Sequence, residues 1–155
     1  MSSTPVSCKE DETIQQVANQ MSKSNIGFLP VIDKNQQVVG TITDRDVVLS
    51  LAKTAKAPAQ LKVQEVMQKE THTVNPEDDA TKALEIMRTR KVRRLPVVDS
   101  DKRLRGIVSL TGIAKRIRNS SNRNQFEYQG KENIISTLQA LAERDTNTTG
   151  GTALG

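Results

Sequence analysis

The sequence has no tryptophan, one tyrosine and two phenylalanines among 155 residues, so its interior has to be built from Val, Ile, Leu and Met. Its single cysteine, Cys8, excludes an internal disulfide, and one histidine leaves no Cys/His set of the kind that holds zinc. No metal and no resident cofactor is expected. No segment approaches the roughly 18 apolar residues of a membrane-crossing helix. The first residues, Met1 to Glu12, carry neither the basic nor the apolar stretch of an export signal, which points to a cytoplasmic protein. A P-loop, a glycine-rich dinucleotide fingerprint and a paired nucleophile and base are also missing, so no catalytic activity is expected. His72 shows no acidic or cysteine partner in the sequence. Cys8 ends a short strand, where a thiol acts as a small buried hydrophobe.

What is present is modestly hydrophobic, at 35% of residues, and uneven in charge. The net charge of +5 conceals a basic block: residues 88–118 hold eleven Lys and Arg against two Asp, whereas residues 1–87 hold nine basic and twelve acidic side chains. Such a block suits a phosphate site, a nucleic-acid face or a solvated surface. The length suits one domain, or two very small ones sharing a core, because a unit of about 60 residues buries too little surface to be secure alone.

The organisation comes from an internal repeat. Displacing the sequence by 66 residues aligns NIGFLPVIDKNQQVVGTIT with KVRRLPVVDSDKRLRGIVS without a gap. Met21 falls on Met87, Leu29 on Leu95, Pro30 on Pro96, Val31 on Val97, Asp33 on Asp99 and Gly40 on Gly106. Each copy predicts the order β-α-β-β-α. A short strand (Pro5 to Cys8; His72 to Val74) leads through acidic residues that suit a helix N-terminus (Glu10 to Glu12; Glu77 to Asp79). The helix that follows carries apolar residues at intervals of three and four: Ile14, Val17, Ala18 and Met21, or Ala80, Ala83, Leu84 and Met87. Two strands come next, Leu29 to Asp33 with Val38 to Thr43, and Leu95 to Asp99 with Leu104 to Ser109. Their continuous β-branched runs suit strands covered on both faces. A second helix closes each copy, from about Asp44 to Ala52 and from about Thr111 to Arg118.

The expected division is residues 1–56, a linker with the short helical turn VQEVMQ over 57–71, residues 72–118, and a tail over 119–155. In the tail, NSSNRNQ predicts a loop, and Lys131 to Glu143 a helix with Ile134, Ile135, Leu138 and Leu141 on one side. The last ten residues predict a mobile end.

With the copies aligned, VVGTITDRDVV and RLRGIVSLTGI resemble the closing signature of cystathionine-β-synthase (CBS) domains: glycine, a hydrophobic residue, Thr or Ser, then Asp three residues on. NIGFLPVID and KVRRLPVVD are similar to the family's first sheet pair, and VQEVMQKETHTVNPEDDATKAL to the linker and opening strand of a second domain. The resemblance spans residues 5–118. It implies an α+β fold of two tandem β-α-β-β-α units packed by pseudo-twofold symmetry, the Bateman module, with a C-terminal helix added. It also implies a non-catalytic sensor whose clefts between the units take an adenosine-containing ligand such as AMP, ADP, ATP or S-adenosylmethionine. A homodimer and an unknown effector protein go with that reading.

On this resemblance ribose and phosphate are expected at Thr43, Asp46, Arg93 and Arg94, and the adenine wall at Val92, Pro96 and Thr73. The chemistry also stands by itself. A hydroxyl and a carboxylate three residues apart at a strand-to-helix junction share one side of the first turn, the carboxylate can accept ribose hydroxyls, and the helix N-terminus adds positive potential. The alternative is that Thr43 and Asp46 only cap a helix and that Arg93 and Arg94 only face solvent. A second, weaker site would use Ile26, Gly27, Ser109 and Thr111; there Gly112 stands in the carboxylate position and Ile26-Gly27-Phe28 brings no basic residue. The competing function is nucleic-acid binding through Lys115, Arg116, Arg118 and Arg123, limited to phosphate contacts because aromatic residues for base stacking are missing from the basic block.

Overall fold

The computed structural model describes residues 5–119 and 125–147, with side chains described for all of these except 125–131 and 144–147. Copy one runs β1 (Cys8–Lys9), α1 (Ile14–Ser24), β2 (Phe28–Ile32), β3 (Val38–Thr43) and α2 (Asp44–Lys53). After the linker helix α3 (Val63–Val66), copy two runs α4 (Ala80–Arg90), β4 (Arg94–Val98), β5 (Leu104–Ser109) and α5 (Leu110–Asn119), followed by α6 (Gln125–Asn147). This is the mixed α+β order that the sequence predicts. The expected loop NSSNRNQ falls largely on residues 120–124 and the expected mobile end largely on 148–155, outside the described residues.

The opening strands are shorter than expected. β1 pairs with β2 in parallel through only Cys8–Val31 and Lys9–Ile32, and His72 to Val74 forms no strand but a single parallel bridge, Val74–Val97. The start of α1 differs too. Thr13 caps α1: Gln16 donates its backbone N–H to Thr13 Oγ1 at 3.2 Å and accepts the Thr13 N–H at 2.8 Å. This reciprocal Thr-x-x-Gln box places Glu10 to Glu12 before the helix rather than in its first turn. Asp79 caps α4 by accepting the Lys82 N–H at 2.9 Å.

The duplication extends to the backbone. Among the described residues, four that are not glycine adopt left-handed conformations, Asn25 (φ 50°) with Lys91 (φ 55°) and Gln36 (φ 65°) with Lys102 (φ 61°), and each pair is 66 positions apart. The first pair ends helices and the second turns hairpins. In each hairpin an aspartate accepts two turn amides, Asp33 from Asn35 and Gln37 and Asp99 from Asp101 and Arg103.

By packing, the chain divides into two compact units, Met1–Pro76 with Pro96–Gly106 and Glu77–Leu95 with Ile107–Gly155, so the boundary runs through β4 and β5 rather than between the sequence copies. In the first unit β2 is the middle strand of β1-β2-β3 and is buried along its whole length, which explains the unbroken apolar run FLPVI. Its core joins Cys8, Ile14, Val17, Met21, Leu29, Val31, Ile42 and Val47 to Leu61 and Val63 of the linker. Each such side chain contributes about 1.5–3 kcal/mol on full burial. Ala18, expected on the core face of α1, is exposed. Its repeat mate Leu84 is buried under α6.

The linker is tied to β3. Gln68 exchanges both backbone hydrogen bonds with Thr41, at 3.0 and 2.9 Å. Gly40 permits this approach, because a Cβ there would lie 2.8 Å from the Gln68 carbonyl oxygen and 2.9 Å from Met67 Sδ.

In the second unit α4 and α5 pack against α6, burying Ala83, Leu84, Met87, Leu110, Ile113 and Leu141. The four apolar residues expected on one side of α6 divide. Leu141 is buried and Ile134 half-buried, whereas Ile135 and Leu138 are 55% and 52% exposed. Thr137 takes the inward position instead, with its hydroxyl donating to the Asn133 carbonyl at 2.7 Å. A Thr that satisfies its own hydroxyl on the preceding turn packs as a small apolar group.

Candidate functional site

The strand-to-helix junction of copy one is where the side-chain chemistry concentrates. Thr43, the last residue of β3, caps α2 by accepting the Asp46 N–H at 3.1 Å. Asp46 returns two contacts on one oxygen: Oδ2 accepts the Thr43 backbone N–H and the Thr43 hydroxyl, both at 2.8 Å. The capping role foreseen as the alternative is therefore present. It leaves room for more, because a carboxylate offers about four acceptor positions. The other oxygen, Oδ1, accepts the side-chain amide of Gln68 at 3.1 Å. Thr43 and Asp46 are both half-buried at the positive end of α2.

Gln68 was not among the residues expected here. It lies 22 positions from Asp46, in the linker, and the Thr41–Gln68 pairing brings it back to β3.

The equivalent junction of copy two keeps half of this arrangement. Gly112 donates its N–H to Ser109 Oγ at 3.0 Å, and no carboxylate answers it. Thr111 is exposed in the first turn of α5. Each junction is pinned to the residue before the preceding strand by one backbone bond, Asp44 N–H to the Gly27 carbonyl at 3.1 Å and Leu110 N–H to the Arg93 carbonyl at 3.0 Å. The side chains at these matched points have opposite character. At Gly27 the Asp44 carboxylate fills the space, 2.6 Å from where a Cβ would sit. At Arg93 the neighbour is the apolar Leu110, and Arg93 and Arg94 are both exposed.

Of the remaining expected residues, Val92, Thr73 and Ile26 are half-buried. Pro96 is less than 2% exposed, which makes it packing beneath the surface rather than a contact for a ligand. Thr43, Asp46, Thr73, Pro96, Ile26 and Gly27 belong to the first packing unit, and Val92, Arg93, Arg94, Ser109 and Thr111 to the second.

Elsewhere the chemistry is quiet. The Cys8 thiol is buried and its pKa is pushed up to about 12, first by burial and then by the Glu12 charge, so it stays protonated and unreactive. His72 does have an acidic neighbour that the sequence did not suggest, Glu70 at 3.7 Å, but Glu70 is 82% exposed. Among the described residues no group of three His, Cys, Asp or Glu could hold a metal, and no helix is long and apolar enough to cross a membrane. A cleft between α4 and α6, lined by Thr81, Glu85, Arg88, Asn133 and Ser136, encloses about 130 Å³. Small-molecule sites usually enclose about 300–1,000 Å³, so it does not suit a nucleotide.

A β-α-β-β-α unit followed by a matching α-β-β-α unit, with a hydroxyl at each strand-to-helix junction, defines a class of duplicated α+β protein. The CBS domain family model matches residues 1–53 and again 63–119, and the chain belongs to that family. It is 37% identical over 111 residues to inosine-5'-monophosphate dehydrogenase of Methanocaldococcus jannaschii; the match takes in 72% of this chain but only 21% of that enzyme. Among solved structures it is similar to the CBS domain pair of protein MJ0100 in complex with 5'-methylthioadenosine and S-adenosyl-L-methionine. That similarity has a TM-score of 0.68 at 25% identity, over 78% of this chain and 94% of that one. The fold is also shared with the CBS domain protein PAE2072 of Pyrobaculum aerophilum complexed with AMP, with a TM-score of 0.66 at 21% identity over 92% and 95% of the two chains.

Proposed function

We propose that this protein is a non-catalytic regulatory module that binds an adenosine-containing ligand, of the class of AMP, ADP, ATP and S-adenosylmethionine, and signals through a change of conformation. Thr43 and Asp46 hold the ribose, Arg93 and Arg94 meet the phosphates, and Val92 and Thr73 border the adenine. The observation that carries the reading is the Asp46 carboxylate, half-buried at a helix N-terminus and still offering an acceptor position on Oδ1. Solved relatives of the same fold, crystallised with S-adenosyl-L-methionine or AMP, support the ligand class. The chain is proposed to work as a homodimer in the cytoplasm, acting on a separate effector protein. A ligand moves such a module only by its difference in affinity for two states.

The module is proposed to be asymmetric. Ser109 lacks a carboxylate partner, and the Asp44 carboxylate beside Gly27 repels the phosphate that Arg93 would attract at the matched point. Calorimetric titration with AMP, ADP, ATP and S-adenosylmethionine, repeated on Asp46→Ala, is the test. Binding that the substitution weakens at least tenfold supports the reading. Failure of all four ligands to bind, or equal binding by Asp46→Ala, overturns it.

A second reading, contact with nucleic-acid phosphates, is favoured by Lys115, Arg116 and Arg118, all exposed on α5. Arg123 lies outside the described residues. A gel-shift titration that shows no complex at low salt eliminates this reading.

A further inference from the structure

A vicinal diol presents two hydroxyl donors, and a carboxylate that takes both uses one acceptor position on each oxygen. Asp46 cannot do this as it stands. Its Oδ2 is filled by the backbone N–H and hydroxyl of Thr43, and Oδ1 has one position left beside the Gln68 amide. A ribose therefore finds one acceptor on Asp46 and needs another close by.

Gln68 provides it. The carbonyl Oε1 of the same planar amide, whose Nε2 donates to Asp46, accepts no hydrogen bond among the described residues. The residue is held firmly at its backbone by the exchanged bonds with Thr41, two residues before Thr43 on β3, and the missing side chain of Gly40 makes room for that approach. The side chain itself is exposed. Thr43, Asp46 and Gln68 thus form a chain of donors and acceptors within the first packing unit.

We propose that Gln68 is a specificity residue of the ligand site: its amide N–H positions the Asp46 carboxylate, and its amide carbonyl accepts one hydroxyl of a ribose diol while Asp46 accepts the other. This rests on the adenosine-ligand reading and extends it to a residue outside the strand-to-helix signature. It distinguishes a complete ribose from a deoxyribose through two residues rather than one.

The test compares AMP, 2'-deoxy-AMP and 3'-deoxy-AMP on the wild-type protein and on Gln68→Met, which keeps the length of the side chain and removes its polar atoms. An exposed position tolerates that change, and circular dichroism checks the fold. The expected result is an AMP affinity about tenfold lower in Gln68→Met, the scale of one lost hydrogen bond. One of the two deoxy analogues, the one lacking the hydroxyl that Gln68 reads, should lose less affinity on the substitution than AMP does, because only the positioning of Asp46 is then removed. Equal losses for all three ligands would reduce Gln68 to a structural support, and unchanged or tighter AMP binding would remove it from the site; either result overturns the inference alone. Absence of binding by the wild-type protein overturns both the inference and the ligand reading beneath it.

Discussion

Gly112 donates its backbone N–H to Ser109 Oγ at 3.0 Å, the same bond that Asp46 makes to Thr43, but without a side chain it cannot return one. Replacing it with aspartate would complete the capping box, place a carboxylate in the first turn and remove a glycine from a helix. A Cβ there meets Ser109 Oγ at 3.1 Å, close enough that the serine must give slightly. The net expectation for Gly112→Asp is a stabilisation of about 0.5–1.5 kcal/mol, from capping and helix propensity together. Thermal denaturation checks it; a melting temperature that fails to rise shows that the cap does not form.

Gly40 and Gly106 match in sequence but not in surroundings. A Cβ at Gly40 would strike the Gln68 backbone and Met67, whereas at Gly106 the nearest contact is Val97 at an ordinary 3.8 Å. Gly40→Ala should cost about 1–3 kcal/mol by forcing the linker off β3. Gly106→Ala should stay within about 0.5 kcal/mol of wild type. Urea denaturation of the two variants checks the pair, and equal costs would contradict the docking of the linker.

On α6 the division between Leu141 and Leu138 sets opposite outcomes. Leu141→Ala removes a side chain only 3% exposed and should cost about 2–5 kcal/mol if α6 is seated on α4 and α5. Leu138→Ala, at 52% exposure, should cost far less. Denaturant midpoints with unchanged slopes give both values. A larger loss at Leu138 would mean that the helix is rotated about its axis.

The hairpin aspartate Asp99 has its pKa held below the ordinary 3.8, first by the Arg103 backbone N–H and then by Arg105, whose guanidinium lies 2.7 Å away. A carboxylate with a depressed folded-state pKa contributes stability that is fully present above the unfolded value and is lost as pH falls through the folded one. Stability should therefore decline below about pH 4, and Asp99→Asn should flatten that decline while lowering stability near neutral pH. Melting curves from pH 7 down to pH 3 read both effects; an unchanged acid limb in Asp99→Asn would contradict the assignment.

Much of this architecture was legible because it is written twice. The coincidence of Asp33 with Asp99 and Gly40 with Gly106 located the hairpins and the four long strands to within a residue, and the spacing of Thr43 and Asp46 located the junction. The remainder depended on contacts between distant positions. Nothing near Gln68 announces that it reaches Asp46, since the link runs through a linker whose docking depends on Gly40. The cap at Thr13 was hidden behind the acidic run Glu10 to Glu12, whereas the cap of α4, Asp79, belongs to the acidic start expected there. On α6, Ile134, Ile135, Leu138 and Leu141 do share one side, and the sequence alone does not reveal that the buried face is turned away from Ile135 and Leu138 toward Thr137.

The central claim, one competent nucleotide site in a duplicated module, is tested most directly by the stoichiometry of AMP binding to the purified chain. Calorimetric titration is predicted to give one AMP per chain, reduced at least tenfold in affinity by Asp46→Ala and little changed by Ser109→Ala. Two equivalent AMP molecules per chain, or binding that Ser109→Ala abolishes and Asp46→Ala spares, would contradict it.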